Sequence, residues 1–204
     1  MHLTLGQKQF SIPSVKGFNY YKEVINAPHV QPEMGRIQLS TKQPLQMPLH
    51  GEVYWRYFQN SDSLTENKAS VEILKTILLT RNGTSHPVTE GSTLHTGDTI
   101  TVRLTVKSQR ELQYINIKDR YAAAFKPLDA ISGYQKKNGI GYFEKHNAAS
   151  NTFLVPYLPK GISYLEYSIS LTHAGIFYTG VATIQSDNDP DCIARSKNLR
   201  ISIE

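Results

Sequence analysis

Cysteine is nearly absent from this sequence, which limits the chemistry that the chain can carry. Cys192 is the single cysteine, so no disulfide can form within the chain. None of the seven histidines falls into an H-x-x-x-H spacing, a pattern typical of zinc ligands. The sequence also has no Gly-x-Ser-x-Gly nucleophile motif and no Gly-rich phosphate loop. We therefore expect a protein without cofactor or metal that is not an enzyme.

Long apolar segments are missing as well. No run approaches the roughly 18 apolar residues that are needed to cross a bilayer, so we expect no direct insertion of this chain into a membrane. The amino terminus has no apolar stretch of the kind found in signal peptides and begins in strand-like sequence. From this we expect a piece of a longer protein.

Charge is modest and spread along the sequence. There are 22 Lys and Arg against 17 Asp and Glu, and the formal net charge is +5. The longest basic run is Lys136-Lys137, whereas nucleic-acid binding calls for clustered cations interleaved with aromatic side chains. We therefore expect no nucleic-acid partner. Charged residues make up 19% and hydrophobic residues 39%, so a packed core is expected rather than disorder.

What the sequence does contain is a succession of short segments with period-two alternation, separated by Gly, Pro, Asn and Asp. The clearest is residues 99–106, where Ile100, Val102, Leu104 and Val106 alternate with polar residues, as in a half-buried antiparallel strand. Further strands are predicted at residues 114–118, 151–155, 162–171, 181–185 and 199–203. This spacing of strands predicts an all-β fold with a sandwich of about seven strands.

Fewer strands are predicted in the first part of the chain. Residues 2–5 and 8–12 flank Gly6-Gln7 and predict a hairpin, and residues 18–25 and 35–40 predict two more strands. Residues 71–80 fit both helical and strand spacing, and their β-branched content favours a strand. Residues 121–125, with three alanines, could instead form a helical turn before Pro127.

The densest aromatic cluster is at residues 52–58, where a strand is predicted. It contains Tyr54, Trp55, Tyr57 and Phe58. Neighbouring side chains on a strand point to opposite faces, so one set would pack in a core and the other would cover a neighbouring domain. We favour this interdomain contact over the alternative, a ligand platform on which sugars stack.

An acidic segment near the end of the chain allows one metal hypothesis. Asp187, Asp189 and Asp191 alternate and could offer oxygen ligands to calcium. The glycine and the glutamate that complete an EF-hand loop are missing, and Cys192 stands where the glycine would be. A solvated loop between strands is the better interpretation.

Six blocks, taken in order, give a family resemblance from about residue 88 to the end. They are HTGDTITVRLTV (95–106), YINIKDR (114–120), KPLDAISGY (126–134), LPKG (158–161), YLEY (164–167) and LTHAG (171–175). Their order and spacing resemble the last macroglobulin-like domain of bacterial alpha-2-macroglobulins. GEVYWRYF (51–58) is similar to the segment that leads into that domain, and residues 1–48 resemble strands that follow the thioester-type helical domain.

The resemblance implies an organisation and a function. Residues 1–48 would form a partial CUB-like β region, residues 49–87 an aromatic strand and connector, and residues 88–204 an immunoglobulin-like, macroglobulin-like β-sandwich. The parent would be an exported endopeptidase inhibitor of the periplasm or outer cell envelope, with proteases and its own neighbouring domains as partners. The family's thioester motif, Cys-x-Glu-Gln, is absent from this chain. The alternative function is a cell-surface adhesion or glycan-binding module.

Overall fold

The computed structural model describes residues 1–12, 21–41, 50–56, 70–81, 83–128, 130–189 and 192–204. The chain divides into two compact units, Met1–Arg56 and Tyr57–Glu204. The described residues are mostly strand, which confirms the all-β fold class. None of the described helices is long and apolar enough to cross a membrane.

The first unit is a small antiparallel sheet. Its strands are β1 (His2–Leu5), β2 (Lys8–Ser11) and β3 (Ile37–Ser40), with β1 in the middle. The predicted hairpin at Gly6-Gln7 is confirmed. Gly6 has a φ of +59°, and a Cβ there would lie 2.8 Å from the backbone of Glu33, so only glycine fits this turn.

Two strand predictions in this unit need correction. In the predicted strand at 18–25, residues 21–25 are irregular, and the rest of it lies outside the described residues. Residues 52–56 of the aromatic segment are irregular too. Between β2 and β3 the chain forms two 3-10 turns, Ala27–His29 and Pro32–Gly35, each with a proline in its first two positions. Proline lacks an N–H and has a fixed φ, which suits the start of a short turn better than a ladder.

The second unit contains the remaining strands. They are β4 (Val71–Arg81), β5 (Thr84–Pro87), β6 (Thr93–Leu94), β7 (Thr99–Ser108), β8 (Leu112–Arg120), β9 (Phe125–Pro127), β10 (Gly133–Lys137), β11 (Ile140–Asn147), β12 (Ser150–Leu158), β13 (Gly161–Leu171), β14 (Gly175–Tyr178), β15 (Ala182–Ser186), β16 (Ile193–Arg195) and β17 (Arg200–Ile203). The strands predicted from residue 99 onward are all present, with somewhat different ends.

Two sheets form the sandwich. One has six strands in the order β10-β11-β12-β8-β15-β16, and the other has five in the order β5-β4-β7-β13-β9. A third sheet, β14-β17-β6, contains a parallel pair between β17 and β6. The inward row of β7 predicted from the sequence is confirmed, because Ile100, Val102, Leu104 and Val106 are all buried.

Alternating side chains from both sheets close a single apolar core. At its centre Phe153 of β12 lies 5.6 Å from the ring of Tyr142 and 6.0 Å from the ring of Tyr167, which is on the opposite sheet. Such aromatic pairs contribute about 0.5–1.5 kcal/mol beyond their area burial. The core therefore joins the two sheets through strands that are far apart in sequence.

β4 belongs to the sandwich rather than to the connector. It pairs with β7 from Val71↔Ser108 to Leu79↔Ile100, so residues 71–80 form a strand, as the β-branched content indicates. The expected boundary at residue 88 therefore falls inside the sandwich, whose first described strand begins at Val71. Residues 121–125 do not form a helix. A single turn closed by Phe125 N–H donating to Ala122 O (3.0 Å) leads directly into β9.

Two local features explain the course of the six-stranded sheet. Asn138 and Gly139 have φ values of +52° and +80° and join β10 to β11 in a two-residue hairpin of the type I′ kind. Tyr114 of β8 has a φ of +51°. It lies opposite Pro156 of β12, which has no N–H to donate, and here the inward alternation of both strands shifts by one residue.

Candidate functional site

The aromatic segment predicted as an interdomain contact is exposed where the structure describes it. Tyr54 is 72% and Trp55 52% exposed. The Tyr54 hydroxyl donates to Glu52, and the Arg56 guanidinium lies 5.9 Å from the centre of the Tyr54 ring. Tyr57 and Phe58 lie outside the described residues. The contact with a neighbouring domain stays a prediction.

The acidic segment is tied into the fold by protein partners. Asp189 forms an ion pair with Arg110, and its backbone carbonyl accepts from Cys192 N–H (3.0 Å). The Asp187 N–H donates to Tyr114 O (3.0 Å). Asp191 lies outside the described residues. Among the described residues, no group of three or more acidic, His or Cys side chains is placed to hold a metal ion.

Cys192 is a buried thiol. Its side chain interacts with Ser70, and burial, the largest effect, raises its pKa. A raised thiol pKa reduces the thiolate fraction, and the thiolate is the nucleophilic form. The position is therefore that of a small core side chain.

Among the described residues, the main concentration of buried ionisable groups lies inside the sandwich, where no site was predicted from the sequence. Lys75 of β4 and Asp119 of β8 form an ion pair across the two sheets, with Nζ 2.7 Å from Oδ1. Their side chains are 2% and 0% exposed. The Tyr167 hydroxyl, on β13, donates to the other carboxylate oxygen at 2.5 Å. We call Lys75, Asp119 and Tyr167 the buried triad.

The ammonium group of Lys75 also bonds to backbone. It donates to the carbonyl oxygens of Thr179 at 2.8 Å and Arg120 at 3.1 Å, with Gly180 O at 3.4 Å. One lysine side chain thus joins β4 to the end of β8 and to the connection between β14 and β15. Gly180 has a φ of +81°, and a Cβ there would lie 2.1 Å from Arg120 O, so this connection requires glycine.

Electrostatics in the triad are dominated by burial. Burial lowers the pKa of Lys75 and raises the pKa of Asp119, and the attraction between their charges opposes both shifts. Burial, followed by the Asp119 charge, raises the pKa of Tyr167 well above its ordinary value. The phenol therefore stays protonated and remains a donor to the carboxylate.

A second polar group lies beside the triad on the inner face of the six-stranded sheet. His146, Asn151 and Asp119 are direct cross-strand partners on β11, β12 and β8. Glu144 accepts from Asn151 Nδ2 at 2.6 Å and from Gln135 Nε2 at 2.9 Å. The Tyr142 hydroxyl, His146 Nδ1 and Asn151 Oδ1 are buried without a hydrogen-bond partner among the described residues.

The buried triad suits a structural role. The ammonium, carboxylate and phenol of the triad are hydrogen-bonded to one another, and the ammonium also donates to backbone carbonyls, in the buried space between the two sheets. A sequence signal for it exists. Lys75 lies in the inward row of β4 between Ile73 and Ile77, and Asp119 follows Ile117 on the inward row of β8. A charge at an inward position of an apolar row calls for a buried partner.

Comparison with known proteins agrees with the family resemblance of the sequence blocks. The family model of the bacterial alpha-2-macroglobulin MG10 domain matches residues 71–191. No curated protein sequence matches the chain significantly.

Solved structures with the same fold include Salmonella alpha-2-macroglobulin reacted with methylamine, with 14% identity, a TM-score of 0.57, and coverage of 70% of this chain and 10% of that one. A C-terminal portion of native Escherichia coli alpha-2-macroglobulin has 13% identity and a TM-score of 0.56, with 70% of this chain and 25% of that one covered. The elastase-activated Escherichia coli protein has 14% identity and a TM-score of 0.56, with coverage of 68% and 13%. The chain thus spans a quarter or less of these proteins. These comparisons do not favour the adhesion or glycan-binding alternative.

Proposed function

Because this chain belongs to the bacterial alpha-2-macroglobulin family through the MG10 domain at residues 71–191, we propose that it is a non-catalytic part of a larger exported endopeptidase inhibitor. The parent would reside in the periplasm or the outer cell envelope. A protease would cut a bait segment elsewhere in the parent, and the conformational change that follows would entrap it.

The observation that carries this proposal is the family match over most of the sandwich, together with the state of its reactive side chains. Lys75 and Asp119 bind each other in a buried ion pair, and Cys192 is a buried thiol with a raised pKa. A nucleophile or general base must reach its substrate, which these groups do not do. The domain is therefore suited to support rather than to catalysis.

The role proposed for this part is to support neighbouring domains through interdomain contacts until bait cleavage releases them. Tyr54, Trp55, Tyr57 and Phe58 remain proposed contact residues. The exposure of Tyr54 and Trp55 supports this, because large aromatic side chains are enriched in protein interfaces. The sandwich, whose two sheets are joined by the buried triad, would supply a surface against which another domain can rest.

Protease trapping by the intact parent tests the proposal. The parent is mixed with several endopeptidases, and cleavage of a large protein substrate is compared with cleavage of a small peptide substrate. Entrapment blocks access of the large substrate and leaves the small one accessible, so only the first activity should fall. Unchanged cleavage of the large substrate by every protease would contradict the proposed function.

A further inference from the structure

The cations that look scattered in the sequence gather on one surface. The outward positions of the six-stranded sheet carry Lys118 and Arg120 of β8, Lys136 of β10, Lys145 of β11 and Arg195 of β16. Among the described outward positions of this sheet there is no Asp or Glu. We call this surface the basic face. Its five cations match the formal charge of +5 of the entire chain, so cations and anions balance elsewhere.

An apolar row runs across the basic face. Tyr134, Phe143 and Leu154 are direct cross-strand partners on β10, β11 and β12, and they are 65%, 48% and 43% exposed. A Cβ on Gly141 would lie 2.3 Å from the Tyr134 hydroxyl, so this ring lies flat across the sheet above Gly141. The row is therefore an apolar strip that is flat at Tyr134, and Lys118 and Lys145 lie in the next row along the strands.

The outer face of the opposite sheet has a different charge pattern. There Arg103 forms an ion pair with Glu166, and Lys107 lies directly across from Glu72. Each of these cations has an acidic neighbour on the same face. The excess of cations on the basic face is thus a property of the six-stranded sheet and not of both sheets.

We propose that the basic face is a docking surface for an acidic protein surface, contributed by another domain of the parent. The proposal rests on the proposed function, because it names the partner that the support role requires. An apolar strip with cations in the rows beside it resembles a protein interface, which has an apolar centre and a polar rim. The excess of one charge sign selects a partner of the opposite sign and discourages basic ones.

A protein surface fits better than a nucleic acid or a lipid headgroup layer. Leu154 ends the row beside Phe143, at a position where a base-stacking site would present a third ring. The Tyr134 ring of the apolar strip also lies against the sheet, and cations lie in the row beside the strip. A flat protein surface can contact both rows at once and bury the strip.

The test is hydroxyl-radical footprinting of Tyr134 and Phe143 by mass spectrometry, in the isolated chain and in the intact parent. The expected result is a several-fold lower oxidation rate of both side chains in the parent. The double variant Lys118→Glu with Lys145→Glu should restore oxidation in the parent to the rate of the isolated chain. The matched control, Lys126→Glu with Lys160→Glu, makes the same charge change away from the basic face and should leave protection intact.

Two results would overturn the proposal. One is equal oxidation of Tyr134 and Phe143 in the isolated chain and in the parent. The other is binding of the isolated chain to phosphatidylglycerol vesicles that the basic-face variant abolishes, with both side chains still open in the parent. The protease-trapping assay on the same parent keeps the two proposals apart. Trapping without protection refutes the docking surface alone, and protection without trapping refutes the proposed function alone.

Discussion

Removal of the buried lysine tests how much the Lys75–Asp119 ion pair contributes to the stability of the sandwich. Lys75→Met keeps most of the aliphatic side chain and removes the ammonium group. Asp119 would then lose its 2.7 Å ion pair at zero exposure and keep only the Tyr167 hydroxyl, and the carbonyls of Thr179 and Arg120 would lose their donor. Breaking a buried pair in this way costs about 3–5 kcal/mol. This is a large part of the about 5–15 kcal/mol that stabilises a typical domain.

Urea unfolding followed by far-UV circular dichroism measures this loss. The single tryptophan, Trp55, lies in the first unit, so circular dichroism, to which the strands of the sandwich contribute directly, is followed instead of fluorescence. Arg103→Met is the matched control, because it removes a cation from an ion pair that is 44% and 37% exposed. Exposed pairs contribute about 0.2–1 kcal/mol, so the control should be several-fold milder.

A companion variant separates the ion pair from the packing. In Lys75→Met with Asp119→Leu, no buried charge is left unpaired, so the double variant should be more stable than Lys75→Met alone. The reasoning is refuted if Lys75→Met costs no more than Arg103→Met, since the ammonium would then not be buried and paired as described. It is also refuted if the double variant is less stable than the single one.

Three further results are expected. Tyr142→Phe removes a hydroxyl that is buried without a partner among the described residues, so it should be neutral or stabilising by up to about 1 kcal/mol in urea unfolding at neutral pH. Burial and Glu144 raise the pKa of Tyr142 from 10.0 to about 12, so the folded state resists ionisation of this phenol and loses stability as the pH rises from about 10 to 12. Tyr142→Phe should therefore reduce the alkaline loss of stability in a pH series, and an unchanged slope would contradict this. Gly180→Ala places a Cβ 2.1 Å from Arg120 O at a φ of +81° and should cost at least about 3 kcal/mol or prevent folding, as judged by thermal unfolding. Leu104→Ala, at zero exposure in the core, should cost about 2–5 kcal/mol in the same assay, and a cost below that of Arg103→Met would be inconsistent with the core described.

Local sequence determined the strands of the sandwich. Alternation at residues 99–106 specifies an inward row because the side-chain period of a strand is two, whatever its neighbours are. Asn138-Gly139 likewise specifies its own turn, since both residues tolerate positive φ. The same local signals were insufficient at residues 52–56, where aromatic residues suggest a strand and the chain is irregular.

Only the tertiary structure decided which side chains meet. Lys75 and Asp119 are 44 residues apart, and they form a pair because β4 and β8 lie on facing sheets with both residues turned inward. The basic face arises in the same way, since Lys118, Lys145 and Arg195 come together only when β8, β11 and β16 share a sheet in one register. Period and turn chemistry are properties of consecutive residues, whereas strand order and register depend on contacts between distant ones. The sequence alone therefore determined an all-β sandwich, and the packing of its sheets determined the buried triad and the charge of each face.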